Sequence, residues 1–364
     1  MTTNRKLGTS AAAVLLLAAL FSTHAAATAS AQAHARPFGD ARTLAPVPDP
    51  GFPEGIAVKG NRVYVSGPAT FGTAGKGPSA VFAFDIKTGA LLNSYFAQGE
   101  NLAQEHANSC IALDGDGRLY VNNTQLGVYR LDFETGQQES YSSPFPDIPS
   151  CGNAQPGQAC APVPFDAPPL PNDLAFDDAG NLYVTDSLQA TIWRIAPGGG
   201  QPQVWFQDAR FASGSIGTNG LRLDPARENF YVTVTADLAN QGYVYRLPLK
   251  ETPTAADLSV FHHYAAGESP DGIAFGKSGR LYVALAAPFQ SGISILNADG
   301  TEGARLTNPA GSPFAPYDSP ANIAFNHTGS LLTTNHAFFT MTNYSVLDVY
   351  VNDKAAPMAK PSLP

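Results

Sequence analysis

The sequence predicts an all-β fold, a six-bladed β-propeller, and three observations carry that prediction. A short phrase returns six times: Pro53-Glu54-Gly55-Ile56-Ala57, Asn108-Ser109-Cys110-Ile111-Ala112, Pro171-Asn172-Asp173-Leu174-Ala175, Thr218-Asn219-Gly220-Leu221-Arg222, Pro270-Asp271-Gly272-Ile273-Ala274 and Pro320-Ala321-Asn322-Ile323-Ala324. Its apolar anchors Ile56, Ile111, Leu174, Leu221, Ile273 and Ile323 lie 55, 63, 47, 52 and 50 residues apart, a period that marks propellers and solenoids. With 34 Gly, 30 Pro and only 14% charged residues, the composition suits short strands joined by tight turns.

Residues 1–35 read as a secretion signal. Arg5 and Lys6 precede an apolar run from Ala11 to Phe21, and small residues follow at Ala29-Ser30-Ala31 and Ala33-His34-Ala35. That run is too short to span a bilayer, so a secreted or periplasmic protein with no membrane span is expected. Its removal takes away two positive charges and no acid, moving the formal charge from -9 to -11. Such acidity disfavours nucleic acid as a partner. Cys151 and Cys160 flank a short loop and suit a disulfide in an oxidising compartment, whereas Cys110 beside an anchor reads as a small buried apolar residue.

Each repeat divides into four strands. A turn such as Lys59-Gly60-Asn61 follows the anchor strand, then a second strand such as Leu182-Tyr183-Val184, then a third such as Ile192-Trp193-Arg194-Ile195. A Gly-bearing turn leads to a more variable fourth strand. Six such blades form a propeller over 36–353, with 354–364 as a C-terminal tail, and a monomer is expected. The last repeat has no fourth strand of its own, and Arg42-Thr43-Leu44-Ala45-Pro46 is expected to supply it, because an open ring would leave exposed edges.

The loops entering each first strand and leaving each second strand are the long ones, and they share one face. At that face the position two before each anchor reads Glu54, Ser109, Asn172, Asn219, Asp271 and Ala321. Glu54, Asn172, Asn219 and Asp271 are hard oxygen donors whose two charges balance a divalent ion, which suits Ca²⁺ and disfavours soft metals. Asn and Asp also serve turns at strand entrances, so three of the four fit that blander role too; Glu54 does not.

Taken in order, these phrases resemble the metal-binding signatures of the regucalcin/gluconolactonase superfamily, related to diisopropyl fluorophosphatase and the paraoxonases. The resemblance spans residues 50 to 340. It implies a six-bladed propeller that hydrolyses lactones, esters or phosphotriesters at Ca²⁺ or another divalent ion such as Zn²⁺, Mn²⁺ or Mg²⁺. It carries the ligand roles to Glu54, Asn172, Asn219 and Asp271, in the same blade order. Asp271 becomes the first candidate for general base or nucleophile. His106 is the second, with His336 near the same mouth. The second-blade Arg that many members carry for sugar acids is absent from Glu105-His106-Ala107-Asn108-Ser109. Phe52, Phe71, Phe289, Phe314, Tyr317, Phe338 and Phe339 stand in the loops of the metal face, so a fairly apolar lactone or ester is the expected small-molecule substrate. The alternatives are a non-catalytic ligand- or partner-binding propeller with a structural calcium ion, and a strictosidine-synthase-like lyase that shares the architecture but not the full donor set.

Overall fold

In the computed structural model, which describes residues 36–363, the chain forms six four-stranded antiparallel sheets. The proposed signal segment lies outside the described residues. The innermost strands are Ile56–Lys59, Asn108–Leu113, Pro171–Phe176, Thr218–Leu223, Pro270–Phe275 and Pro320–Phe325, each starting at or near the recurring phrase. Alternation makes the second and third strands almost wholly buried, because both of their faces pack against neighbouring blades. Arg62–Gly67 and Ala80–Asp85 are examples, whereas the outer strand Leu91–Phe96 is largely exposed. The anchors Ile56, Ile111, Leu174, Leu221, Ile273 and Ile323 are all nearly inaccessible and sit in the apolar clusters between blades.

The ring closes as the sequence predicts. Ala41–Pro46 pairs with Ser345–Tyr350 and completes the sixth blade from the N-terminal side, removing the open edge. The only helices among the described residues are two single 3₁₀ turns, Ala209–Phe211 and Ala255–Asp257, and no helix there is long and apolar enough to cross a membrane. Cys151 and Cys160 form a disulfide in the long loop that enters the third blade.

One feature of each inner strand decides what reaches the tunnel. In five blades the pairing of first and second strands slips by one residue just before the anchor, as between Pro171 and Leu174 or Pro270 and Ile273. The extra residue is a β-bulge, which bends the strand and re-aims side chains. Two consecutive positions therefore turn inward where simple alternation allows one.

The tail is a strap. Residue Ala355 bridges Gly276, the Ala356 amide donates to the Phe275 carbonyl at 2.9 Å, and the Gly115 amide donates to Pro361 O at 2.8 Å. Arg118 donates to the Leu363 carbonyl, and the Leu363 side chain is buried against the second and third blades. Residues 354–363 thus cross the short-turn face of the ring from the fifth blade to the second.

A ring of oxygen donors at the tunnel mouth

The four predicted donors stand at the entrances of inner strands: Asn172, Asn219 and Asp271 are the second residues of Pro171–Phe176, Thr218–Leu223 and Pro270–Phe275, and Glu54 lies two residues before Ile56–Lys59. Glu54, Asn219 and Asp271 are buried and Asn172 is half-buried. Their backbones are held from blade to blade. In five blades a hydroxyl or amide near the end of the second strand donates to a backbone carbonyl at the corresponding position of the next blade. Asn122 Nδ2 donates to Asn172 O at 3.0 Å, Thr185 Oγ1 to Asn219 O at 2.6 Å, Thr233 Oγ1 to Asp271 O at 2.7 Å and Thr334 Oγ1 to Glu54 O at 2.7 Å. Ser66 does the same for the Ser109 carbonyl. The fifth blade has Ala284 at this position, and the residue it would hold is Ala321, the one position in the ring with no polar side chain. The centre is tight: a Cβ on Gly220 would lie 2.4 Å from Asp271 O, and one on Gly272 2.5 Å from Asn322 Oδ1, so only glycine permits this approach.

Asn172 Nδ2 donates to Ser187 Oγ at 3.2 Å and Asn219 Nδ2 to Thr235 Oγ1 at 3.0 Å, which fixes the orientation of each amide, and Cys110 Sγ donates to Asn172 Oδ1 at 3.8 Å. The Nδ1 of His336 lies 3.0 Å from Glu54 Oε2. Asn219 Oδ1 and Asp271 Oδ1 are buried with no hydrogen-bond donor, as is Asn122 Oδ1 one strand away. Orphaned buried acceptors are costly, and a cation is the partner that satisfies several at once. Among the described residues no three His, Cys, Asp or Glu side chains gather as a cation site, so an ion here would depend on the amide oxygens. The residues present fit a hard divalent cation, with Glu54, Asn172, Asn219 and Asp271 as its holders. Burial, and then the charges of Glu54 and Asp173, push the Asp271 carboxyl well above the usual carboxylate range.

That shift sets a sign. An acid whose pKa is raised by folding binds more protons in the native state, so the ion-free fold loses stability as pH climbs above the unfolded value of about 3.9. A cation removes the repulsion. Calcium should raise the melting temperature, chelation should lower it, and the difference should be larger at pH 7.5 than at pH 5 in thermal melts of one preparation. Equal calcium effects at both pH values would argue against Asp271 as a ligand.

His106 does not join the ring. Its Nδ1 lies 2.9 Å from Gln104 O and its Nε2 2.9 Å from Gly77 O, so both nitrogens clamp two loops together. Burial opposes its protonation, but those carbonyls and the charges of Glu100 and Glu105 outweigh it and raise the pKa. A base needs a free nitrogen, and His106 has none to offer. His336, bonded to Glu54, is the histidine at the site. Tyr317 is also corrected, since at 1% exposure it belongs to the core between blades and not to the mouth.

A second layer lies directly beneath, supplied by the bulges. Asp173 is fully buried and pairs with Arg222, Oδ2 to Nη1, at 2.7 Å; Arg222 Nη2 donates to Asn322 Oδ1 at 3.1 Å. Asn322 Nδ2 in turn donates to Cys110 Sγ at 3.0 Å. Cys110 is buried as expected, yet as part of this polar plug across the tunnel, and burial pushes its thiol well up. The sequence carried a signal for the plug. The residue after each anchor is Ala in five blades and Arg222 in the fourth.

The outer approach is aromatic. Ring contacts run Phe289–Phe314 at 6.0 Å, Phe314–Phe339 at 6.2 Å, Phe339–Phe338 at 5.4 Å, Phe338–His336 at 6.2 Å and His336–Phe52 at 5.5 Å. They lead from Phe289, 74% exposed, to the histidine bonded to Glu54. Phe71, Phe338, Phe339 and Met341 are exposed on the same loops.

The fold is a six-bladed propeller, with Glu54, Asn172, Asn219 and Asp271 at the entrances of four of its inner strands. The chain belongs to the SMP-30/Gluconolactonase/LRE-like family, whose region matches residues 73–332. No curated protein matches the chain. Among solved structures it is similar to regucalcin, described as a calcium-binding protein, from Agrobacterium tumefaciens, with 16% identity and a TM-score of 0.60 over 90% of this chain and 98% of that one. It is also similar to a gluconolactonase from Xanthomonas campestris, with 17% identity and a TM-score of 0.56 over 86% of this chain and 90% of the other. A luciferin-regenerating enzyme has 14% identity and a TM-score of 0.59, over 89% of this chain and 100% of that one. Identities this low speak for the fold alone.

Proposed function

We propose that the protein is a divalent-metal-dependent hydrolase of lactones or related esters, with calcium as the favoured ion. The carrying observation is the pair of orphaned acceptors, Asn219 Oδ1 and Asp271 Oδ1, beside Glu54 and Asn172. A bound divalent ion would polarise the ester carbonyl and stabilise the oxyanion, an effect worth several kcal/mol. The residues do the rest. Glu54, held by His336, supplies charge. Asp271 removes the proton from a water that adds to the carbonyl carbon; the C–O bond to the ring oxygen then breaks, and that oxygen takes the proton. Export of the enzyme is part of this reading, supported by the signal-like residues 1–35 and by the Cys151–Cys160 disulfide.

The aromatic approach favours an apolar substituent on the substrate over a sugar. A panel of γ-lactones and aryl esters with alkyl chains of increasing length, assayed with and without chelator, tests both parts. Activity should vanish with chelator and return with calcium. KM should fall with chain length, by up to about fourfold per buried methylene. Phe338→Ser with Phe339→Ser should erase the chain-length dependence and leave the shortest lactone unaffected. A wild type that hydrolyses no member of the panel in the presence of metal would hand the site to the alternative, a binding propeller with a structural ion.

A further inference from the structure

Beneath the polar plug, the lower half of the tunnel is a separate chamber of about 450 Å³. Its walls are the ends of the inner strands, with Leu113, Phe176, Phe275 and Phe325 and the tunnel alanines Ala112 and Ala274 among them. Arg222 forms the roof, already engaged by Asp173 and Asn322, and the C-terminal strap forms the floor with Ala356, Met358 and Lys360. A propeller keeps a central channel by its architecture, and here Arg222 lines it above while the C-terminal segment crosses it below. Its volume and lining are those of a small-molecule site.

Charge at the lower mouth selects the occupant. Lys59 Nζ donates only to the backbone carbonyls of Asp116 and Gly117, at 3.4 and 3.2 Å, and Lys360 lies close by. Among the described residues neither ammonium has a carboxylate partner. Although the Lys360 side chain reaches solvent, the packing around it and, second, the charge of Lys59 hold its pKa below the usual lysine value. Lys354 and Lys360 line the chamber, with Lys59 beside Lys360, and ammonium groups at the edge of an apolar chamber match one anionic head and one apolar tail. We propose that the lower chamber is a second binding site, independent of the hydrolytic reading, for a small amphiphilic monocarboxylate: a free acid with a chain of roughly ten carbons. The strap defines the entrance. Residues 357–360 span the mouth between backbone ties at Ala356 and Pro361, with Ala359 packed against the core, so a ligand enters beside this segment.

The methionines offer a direct readout, because the chain has three and residues 36–363 hold two. Met358 is on the chamber floor, whereas Met341 is on the opposite face. With methyl-labelled methionine, titration of the folded protein with sodium decanoate should shift the Met358 methyl resonance and leave Met341 in place. Calorimetry should give one site, with affinity rising about fourfold per methylene from hexanoate until the chamber is full. Lys360→Gln should weaken decanoate about fivefold and leave decanol unchanged. Ala112→Leu with Ala274→Leu should shorten the longest chain accepted, and Glu54→Gln should have no effect on decanoate. Were the double leucine variant unstable, the Met358 shift and the Lys360→Gln comparison would still decide. The proposal is overturned if Met341 shifts in place of Met358, if no acid binds, or if phospholipid vesicles free of fatty acid produce the Met358 shift and decanoate does not.

Discussion

Asp271→Asn is expected to lower lactone or ester turnover by at least about a hundredfold while calcium still binds. The substitution keeps an oxygen at the same place but removes a charge and a proton acceptor. Asp271 is the right group for this test because its Oδ1 has no donor and its carboxyl is held well above the usual range by burial and by Glu54 and Asp173. Glu54→Gln should behave differently. It removes a charge that His336 orients at 3.0 Å, so its main effect should be on ion affinity, and excess calcium should restore part of the activity. Steady-state kinetics across a calcium titration separates the two. An Asp271→Asn protein that turns over normally with the ion bound would transfer the base to His336 or to a water held at the site.

The parts of this molecule that the sequence revealed are those that repeat. Ile56, Ile111, Leu174, Leu221, Ile273 and Ile323 recur because each must fill the same gap between blades, and the candidate donors are picked out by their fixed offset from those anchors. The edge strand Ala41–Pro46 could be placed because a ring with a missing strand demands one. The bulge was not legible, since one extra residue in an inner strand leaves the apolar pattern intact while turning Cys110, Asp173 and Asn322 inward. His106 was misjudged for a related reason: nearness in sequence to a strand entrance does not fix where a loop histidine points, and two carbonyls of its own loops captured it. Nor did residues 354–364 announce a strap, because a short segment of Ala, Pro, Lys and Ser docks through backbone bonds and one buried leucine. Arg222 was legible in principle, as the one break in a column of alanines. So was the series Ser66, Asn122, Thr185, Thr233 and Thr334, which follows the second-strand motif and steadies the donors.

Arg222 therefore carries the largest expected effect on stability. Arg222→Ala removes the partner of a carboxylate with no solvent exposure, and breaking a buried pair from one side costs about 3–5 kcal/mol. Asp173 keeps two backbone donors, the Leu174 amide at 2.8 Å and the Leu221 amide at 2.9 Å, so the lower end of that range is expected. For a chain of this size that should lower the melting temperature by about 4 °C. A second variant identifies the cause. Asp173→Asn combined with Arg222→Ala removes both charges and should recover much of the loss, because the unpaired charge and not the missing contacts dominates it. Arg222→Ala alone leaves Asp173 unneutralised directly below Glu54 and Asp271, adding negative potential at the ion site. Calcium should then stabilise the single variant more than the wild type, and the double variant less than the single one. If calcium shifts the three melting temperatures equally, the plug and the donor ring are electrostatically separate, and Asp173 does not contribute to the raised pKa of Asp271.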